Sequence, residues 1–185
     1  NNTNAIHYRQ AGIKKGDNVR YQGEQCKRGD KVIEAGTVIR PGILGLLATL
    51  GIAEVSVYPS PVVGCIITGN ELKELGEPLQ AGEIYNSNGL MLLASLKAMN
   101  IEKVCLYRVR DDESLLLNTI KNALEENDYL ILSGGISVGD YDFVRAVLEQ
   151  LGVHELIYKI RQRPGKPMLI GQWQGKWVFA LPGNP

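Results

Sequence analysis

The chain has 185 residues, with 20 basic and 20 acidic side chains and 44% hydrophobic residues. That length and balance describe a globular protein of one domain plus extra elements, able to bury roughly 70% of its unfolded surface. Zero net charge leaves no field to attract nucleic acid or an anionic membrane, and no apolar run approaches the length of a bilayer span.

The chain opens on Asn1-Asn2-Thr3-Asn4, with neither an initiator methionine nor a signal-peptide pattern. Lys31-Val32-Ile33 and Thr37-Val38-Ile39 flank Glu34-Ala35-Gly36, which predicts a short hairpin. Pro41 suits a helix start and Gly51 its end; Ile43, Leu44, Leu46, Leu47 and Leu50 between them predict a largely buried helix. Pro59 and Pro61 mark a linker, so residues 1–58 read as a partial N-terminal lobe and residues 59–185 as a second domain. From there strands and helices alternate. Val62–Thr68 is a continuous apolar strand, and Asn86-Ser87-Asn88 can cap a helix running to about Met99. Lys103–Val109 is a second strand, followed by a helix with Leu115, Leu116, Ile120, Ala123 and Leu124 on one face. Tyr129–Leu132 is a third strand; a helix carrying Phe143, Val144, Val147, Leu148 and Leu151 follows, and Leu156–Ile160 is a fourth strand. Met168–Gln172 and Lys176–Leu181 predict a hairpin that adds an antiparallel edge. The fold class is α/β: a mostly parallel sheet with helices on both faces, preceded by a small β-containing segment with one short helix. The stop at Leu181-Pro182-Gly183-Asn184-Pro185, directly after a strand pattern, reads as part of a longer protein. Cys26, Cys65 and Cys105 are widely spaced, form no C-x-x-C pair and fit a reducing cytoplasm.

In open α/β sheets, ligands bind beyond the carboxyl ends of the strands. That rule gathers Thr68, Gly69, Asn70 and Glu71 after the first strand, Asp111 after the second, and Ser133-Gly134-Gly135-Ile136-Ser137-Val138-Gly139-Asp140-Tyr141-Asp142 after the third. A strand that breaks into glycines and restarts as a helix can cradle a phosphate, because the helix start offers free N–H groups. Glu71, Asp111 and Asp142 near such a cradle suit Mg²⁺, which takes oxygen ligands and keeps several waters. Each residue also has a plainer reading: Asp111 as a helix N-cap, Asp142 as a complement to the helix dipole, Glu71 as a solvated loop acid, and the glycines as tight strand-to-helix packing. Arg163-Pro164-Gly165-Lys166-Pro167 is a stiff basic loop able to hold phosphate oxygens, or an ordinary basic turn. His7 and His154 have no partnered nucleophile, Ser133 and Ser137 lack a G-x-S-x-G elbow, and the G-x-G-x-x-G dinucleotide fingerprint is absent.

Thr68-Gly69-Asn70-Glu71-Leu72, Ile84-Tyr85-Asn86-Ser87-Asn88, Ser133 to Asp140, Pro164-Gly165-Lys166-Pro167 and Leu181 to Pro185 occur in that order. Together they resemble the MoeA family of molybdopterin molybdotransferases, related to the gephyrin E domain. The resemblance implies a molybdopterin-binding domain of the kind shared with MogA and MoaB proteins. It implies the last step of molybdenum cofactor synthesis: adenylylated molybdopterin is bound, AMP is released by hydrolysis, and molybdate enters the dithiolene. It further implies Mg²⁺ as cofactor; Glu71, Asp111 and Asp142 as catalytic and metal-holding acids; and Thr68, Gly69, Ser133, Gly134, Gly135, Ser137, Gly139, Arg163 and Lys166 as substrate contacts. Pro182 and Pro185 would form a rigid turn bordering the site. A homodimer, a MogA-like partner enzyme and a cytoplasmic location are expected, without nucleic acid or membrane. Asn70 and Asn86 stand where the family usually has Asp, and Arg163 where Lys is common. Two other activities fit the same domain: MogA-like adenylylation of molybdopterin, and a non-catalytic gephyrin-like scaffold. The segment of residues 1–58 favours the molybdotransferase.

Overall fold

The computed structural model describes residues 12, 14–136, 143–163 and 165–183. The chain divides into two compact units at Tyr58/Pro59.

In the first unit, α1 spans Pro41–Thr49, with Pro41 at its first position and Gly51 in the left-handed region (φ 70°) just past its end. Two sequence expectations fail here. A turn does close at Glu34–Thr37, where the Thr37 N–H donates to the Glu34 carbonyl at 3.2 Å, but the flanking runs form no ladder. An isolated two-stranded hairpin is marginal in water, and no third strand supports this one among the described residues. The helix is also not largely buried: Leu47 is the one buried side chain on it, and Leu44 is 56% exposed. No other described helix or strand of the unit is available to cover its apolar face.

The second unit is the expected α/β layer structure. Its elements are β1 (Val63–Thr68), β2 (Leu72–Lys73), β3 (Ile84–Tyr85), α2 (Ser87–Ala98), β4 (Val104–Val109), α3 (Glu113–Glu126), β5 (Tyr129–Ser133), α4 (Phe143–Gln150), β6 (His154–Tyr158), β7 (Leu169–Trp173) and β8 (Lys176–Leu181). Among the described residues, six strands form one sheet in the order β4-β1-β5-β8-β7-β6. Every residue of β1 is buried, as a strand covered on both faces must be. On one face, Ile66, Leu116, Ile120, Leu124, Leu132, Val144, Val147 and Val178 form the main core. On the other, Val63, Cys65 and Leu96 pack with Leu92, Ile101 and Ile131. The period-two alternation of β1 therefore feeds α2 on one side and α3 and α4 on the other.

The terminal hairpin differs from expectation in its position. β8 enters the sheet beside β5 as a parallel strand, β7 runs antiparallel to β8, and β6 forms the edge with a bulge between Glu155 and Ile157. Val178 and Ala180 are fully buried, so β8 carries core side chains that an edge strand could not cover. A small parallel ladder between β2 and β3 was not foreseen; with two residues per strand it leaves no periodic signal.

The parallel register decides where the loops emerge. Thr68 pairs with Val109, Ile67 with Ser133, and Ser133 with Leu181. The carboxyl ends of β1, β4, β5 and β8 thus finish at one level.

Candidate functional site

A cleft of about 310 Å³ opens at that level. Its walls bring together Thr68, Gly69 and Glu71 after β1, Asp111 after β4, and Ser133, Gly134 and Gly135 at the end of β5. Tyr85, Asn86, Ser87 and Asn88, from the β3–α2 junction, form the opposite side, and Gly183 closes the end beyond β8. A second pocket of about 220 Å³ adjoins it and shares Asn88 and Ser133; Gly165, Leu181 and Pro182 line this one. Arg163 and Lys166 lie on the exposed loop beside Gly165, and neither lines either cavity. Ser137, Gly139, Asp140, Asp142 and Pro185, all singled out from the sequence, lie outside the described residues, as do Pro164 and His7.

Asp111 is held in the cleft and is not a helix cap. The cap of α3 is its neighbour Asp112, whose carboxylate accepts the Leu115 N–H at 2.9 Å and the Ser114 hydroxyl at 3.0 Å. The Leu115 and Ser114 bonds stabilise the ionised form and hold the Asp112 carboxyl below its ordinary range. With that role taken, Asp111 accepts a hydrogen bond from the Thr68 hydroxyl across the ends of β1 and β4. Its own N–H donates to Asn70 Oδ1 at 3.2 Å. Asn70 thus does with an amide oxygen what a carboxylate would do at the same place. Asn86 shows why an amide suits its position better than an acid. Its Oδ1 accepts the Gly89 N–H at 3.0 Å as the N-cap of α2, while its Nδ2 donates to Glu74 Oε1 at 3.4 Å. An Asp there could not donate and would set two carboxylates side by side.

The glycine loop packs against protein on the side where a side chain would grow. A Cβ on Gly134 (φ 95°) would lie 2.1 Å from the Thr68 carbonyl oxygen, and one on Gly135 (φ 65°) would lie 2.6 Å from Val144. The plainer reading of these two glycines therefore applies: they let the ends of β1 and β5 and the start of α4 close together. Their backbone still lines the cleft.

Sequence reasoning missed Asn88 as a site residue, reading it as part of a cap. From the first turn of α2, its Nδ2 donates to Ser133 Oγ at 2.9 Å and to the Gly183 carbonyl at 2.8 Å. Its link to residues 45 and 95 positions away has no local signature.

Among the described residues that line the cleft, the charged side chains are Glu71 and Asp111, both acids. These carboxylates and the Thr68 hydroxyl present oxygen donors alone, which fits a hard cation that retains waters. No cluster of three or more His, Cys, Asp or Glu able to hold a metal occurs among the described residues, so these two acids are the described part of the expected set. No described helix is long and apolar enough to cross a membrane.

The profile of the family described as a probable molybdopterin binding domain matches residues 64–185. The chain belongs to this family. A second profile, the MoeA N-terminal region (domain I and II), matches residues 1–51. The chain is 42% identical over 172 residues to a molybdopterin molybdenumtransferase of Haemophilus influenzae, covering 93% of this chain and 42% of that protein. It is 38% identical over 170 residues to one of Bacillus subtilis, covering 92% and 40%. The chain thus spans about two fifths of the length of these curated relatives. Among solved structures, a molybdopterin biosynthesis MoeA protein of Pyrococcus horikoshii superposes with a TM-score of 0.71 at 32% identity, over 88% of this chain and 40% of that one. A Mog protein of Mycobacterium ulcerans shares the fold, with a TM-score of 0.50 at 16% identity over 67% of this chain and 84% of its own. The matched residues 64–185 fall within the second unit, which carries the cleft at the carboxyl edge of its sheet.

Proposed function

We propose that this chain serves molybdenum cofactor biosynthesis as the molybdopterin-binding part of a molybdopterin molybdotransferase. The observation that carries the reading is the order of the two matches: a MoeA N-terminal region directly precedes the molybdopterin-binding domain in one chain. The reaction proposed is the binding of adenylylated molybdopterin, hydrolytic release of AMP, and insertion of molybdate at the dithiolene.

In this reading, Glu71 and Asp111 would hold Mg²⁺, together with Asp142. The ion, when bound, offsets phosphate charge in a cleft whose described charged side chains are acids. Thr68 orients the Asp111 carboxylate through its hydroxyl. Ser133 and the Gly134–Gly135 backbone, which line the cleft, would border the phosphate, and Ser137 and Gly139 are proposed as further contacts. Arg163 and Lys166, on the exposed loop beside Gly165, would hold phosphate or molybdate oxygens, and Pro182 and Pro185 would stiffen the turn after β8. Homodimer formation, cooperation with a MogA-like enzyme and a cytoplasmic location belong to the same proposal.

The test is chemical. The full-length protein that contains this chain is mixed with adenylylated molybdopterin, Mg²⁺ and molybdate, and the products are read by mass spectrometry. AMP and molybdenum cofactor are expected; no AMP release refutes the proposal. Formation of the adenylylated species from ATP would instead favour adenylyl transfer.

A further inference from the structure

Ser133 is 4% exposed, yet it faces both cavities. Its oxygen already accepts a hydrogen bond from Asn88. A hydroxyl has one proton to donate, and no described residue accepts that of Ser133. A buried hydroxyl whose oxygen is already engaged keeps its proton for a ligand that supplies an acceptor. The Asn88 amide cannot turn over to alter this arrangement. Its Nδ2 also faces the Gly183 carbonyl at 2.8 Å, and a flipped amide would set two oxygens against each other. With Nδ2 committed to both acceptors, the Ser133 oxygen always meets a donor on the Asn88 side, and its own proton must point elsewhere.

Building on the function proposed above, we infer that Asn88 is a positioning residue, which holds the Ser133 hydroxyl as a hydrogen-bond donor toward an oxyanion of the bound molybdopterin. Asn88 also ties the end of β5 to Gly183 after β8, at the junction between the two cavities. A neutral donor fits this place: the described charged side chains lining the cleft are both acids, so an entering oxyanion needs N–H and O–H groups aimed at it in advance.

The experiment is a cycle of substitutions read by equilibrium dialysis against molybdopterin under anaerobic conditions. Ser133→Ala weakens binding about ten- to a hundred-fold, the usual effect of losing a hydrogen bond to a charged group. Asn88→Ala weakens it about tenfold, and the double variant binds no more weakly than Ser133→Ala alone, because both changes remove one interaction. Ser133→Thr, which returns the hydroxyl, restores affinity when Asn88 is present and fails to do so in the Asn88→Ala background. A purely structural role for Asn88 would not produce that dependence. Should Asn88→Ala not fold, Asn88→Ser completes the same cycle. Additive losses, or unchanged affinity in the Asn88 variants, overturn this inference and leave the proposed function standing. Absence of molybdopterin binding by the unsubstituted protein overturns the proposed function and this inference with it.

Discussion

Replacing Gly134 by Ala should damage the fold and the site together. The added Cβ would stand 2.1 Å from the Thr68 carbonyl oxygen, whereas carbon and carbonyl oxygen settle no closer than about 3.3 Å. The ends of β1 and β5 must therefore separate by about 1 Å, at the point where their ladder closes at Ile67 and Ser133. No flexible side chain can yield, because the obstacle is backbone. The positive φ of 95° adds a backbone penalty of about 1–2 kcal/mol, and overpacking adds about 1–3 kcal/mol. The expected loss is about 2–5 kcal/mol. Gly175 supplies the control: its φ is 83° and nothing lies within 4 Å of an added Cβ, so Gly175→Ala carries the backbone penalty alone. Urea unfolding of both variants, compared by midpoint and slope, reads the difference. If Gly134→Ala falls within about 0.5 kcal/mol of Gly175→Ala, the close approach of β1 and β5 at the site is refuted.

Other outcomes follow from the core, the cysteines and the acids. Leu116→Ala, at a fully buried position of the main core, should lose about 2–5 kcal/mol in the same urea assay. Burial, reinforced by Cys105, pushes the Cys65 thiol from 9.0 up to about 11. Between those values the unfolded chain ionises Cys65 while the folded protein keeps it protonated, so stability falls as pH rises through that window, by about 2–3 kcal/mol at most. Cys65→Ala should remove that part of the alkaline slope. Alkylation followed by mass spectrometry should label exposed Cys105 before buried Cys65. Thr68→Val, which removes the donor to Asp111, should lower AMP release about tenfold or more with little change in stability; unaltered turnover would remove Asp111 orientation from the proposal.

The order of elements in the second unit was legible in the chain itself. Continuous apolar runs marked β1 and β5, 3.6-residue spacing marked α3 and α4, and the asparagine before Ser87 marked the start of α2. These are local signals: side-chain periodicity and capping act over a few residues. The rule that strands end where ligands bind then selected Thr68, Gly69, Glu71, Asp111 and the start of the glycine loop from sequence alone. Tertiary structure decided what depends on distant partners. It placed β8 beside β5 and not at the edge, because Val178 and Ala180 must be buried. It assigned the cap of α3 to Asp112 and left Asp111 to Thr68. It left the expected hairpin of the first unit unformed, since a lone pair of short strands buries too little to repay its ordering. It also joined Asn88 to Ser133 and Gly183, a contact between three chain segments that meet solely because parallel strands in register bring their carboxyl ends to one level.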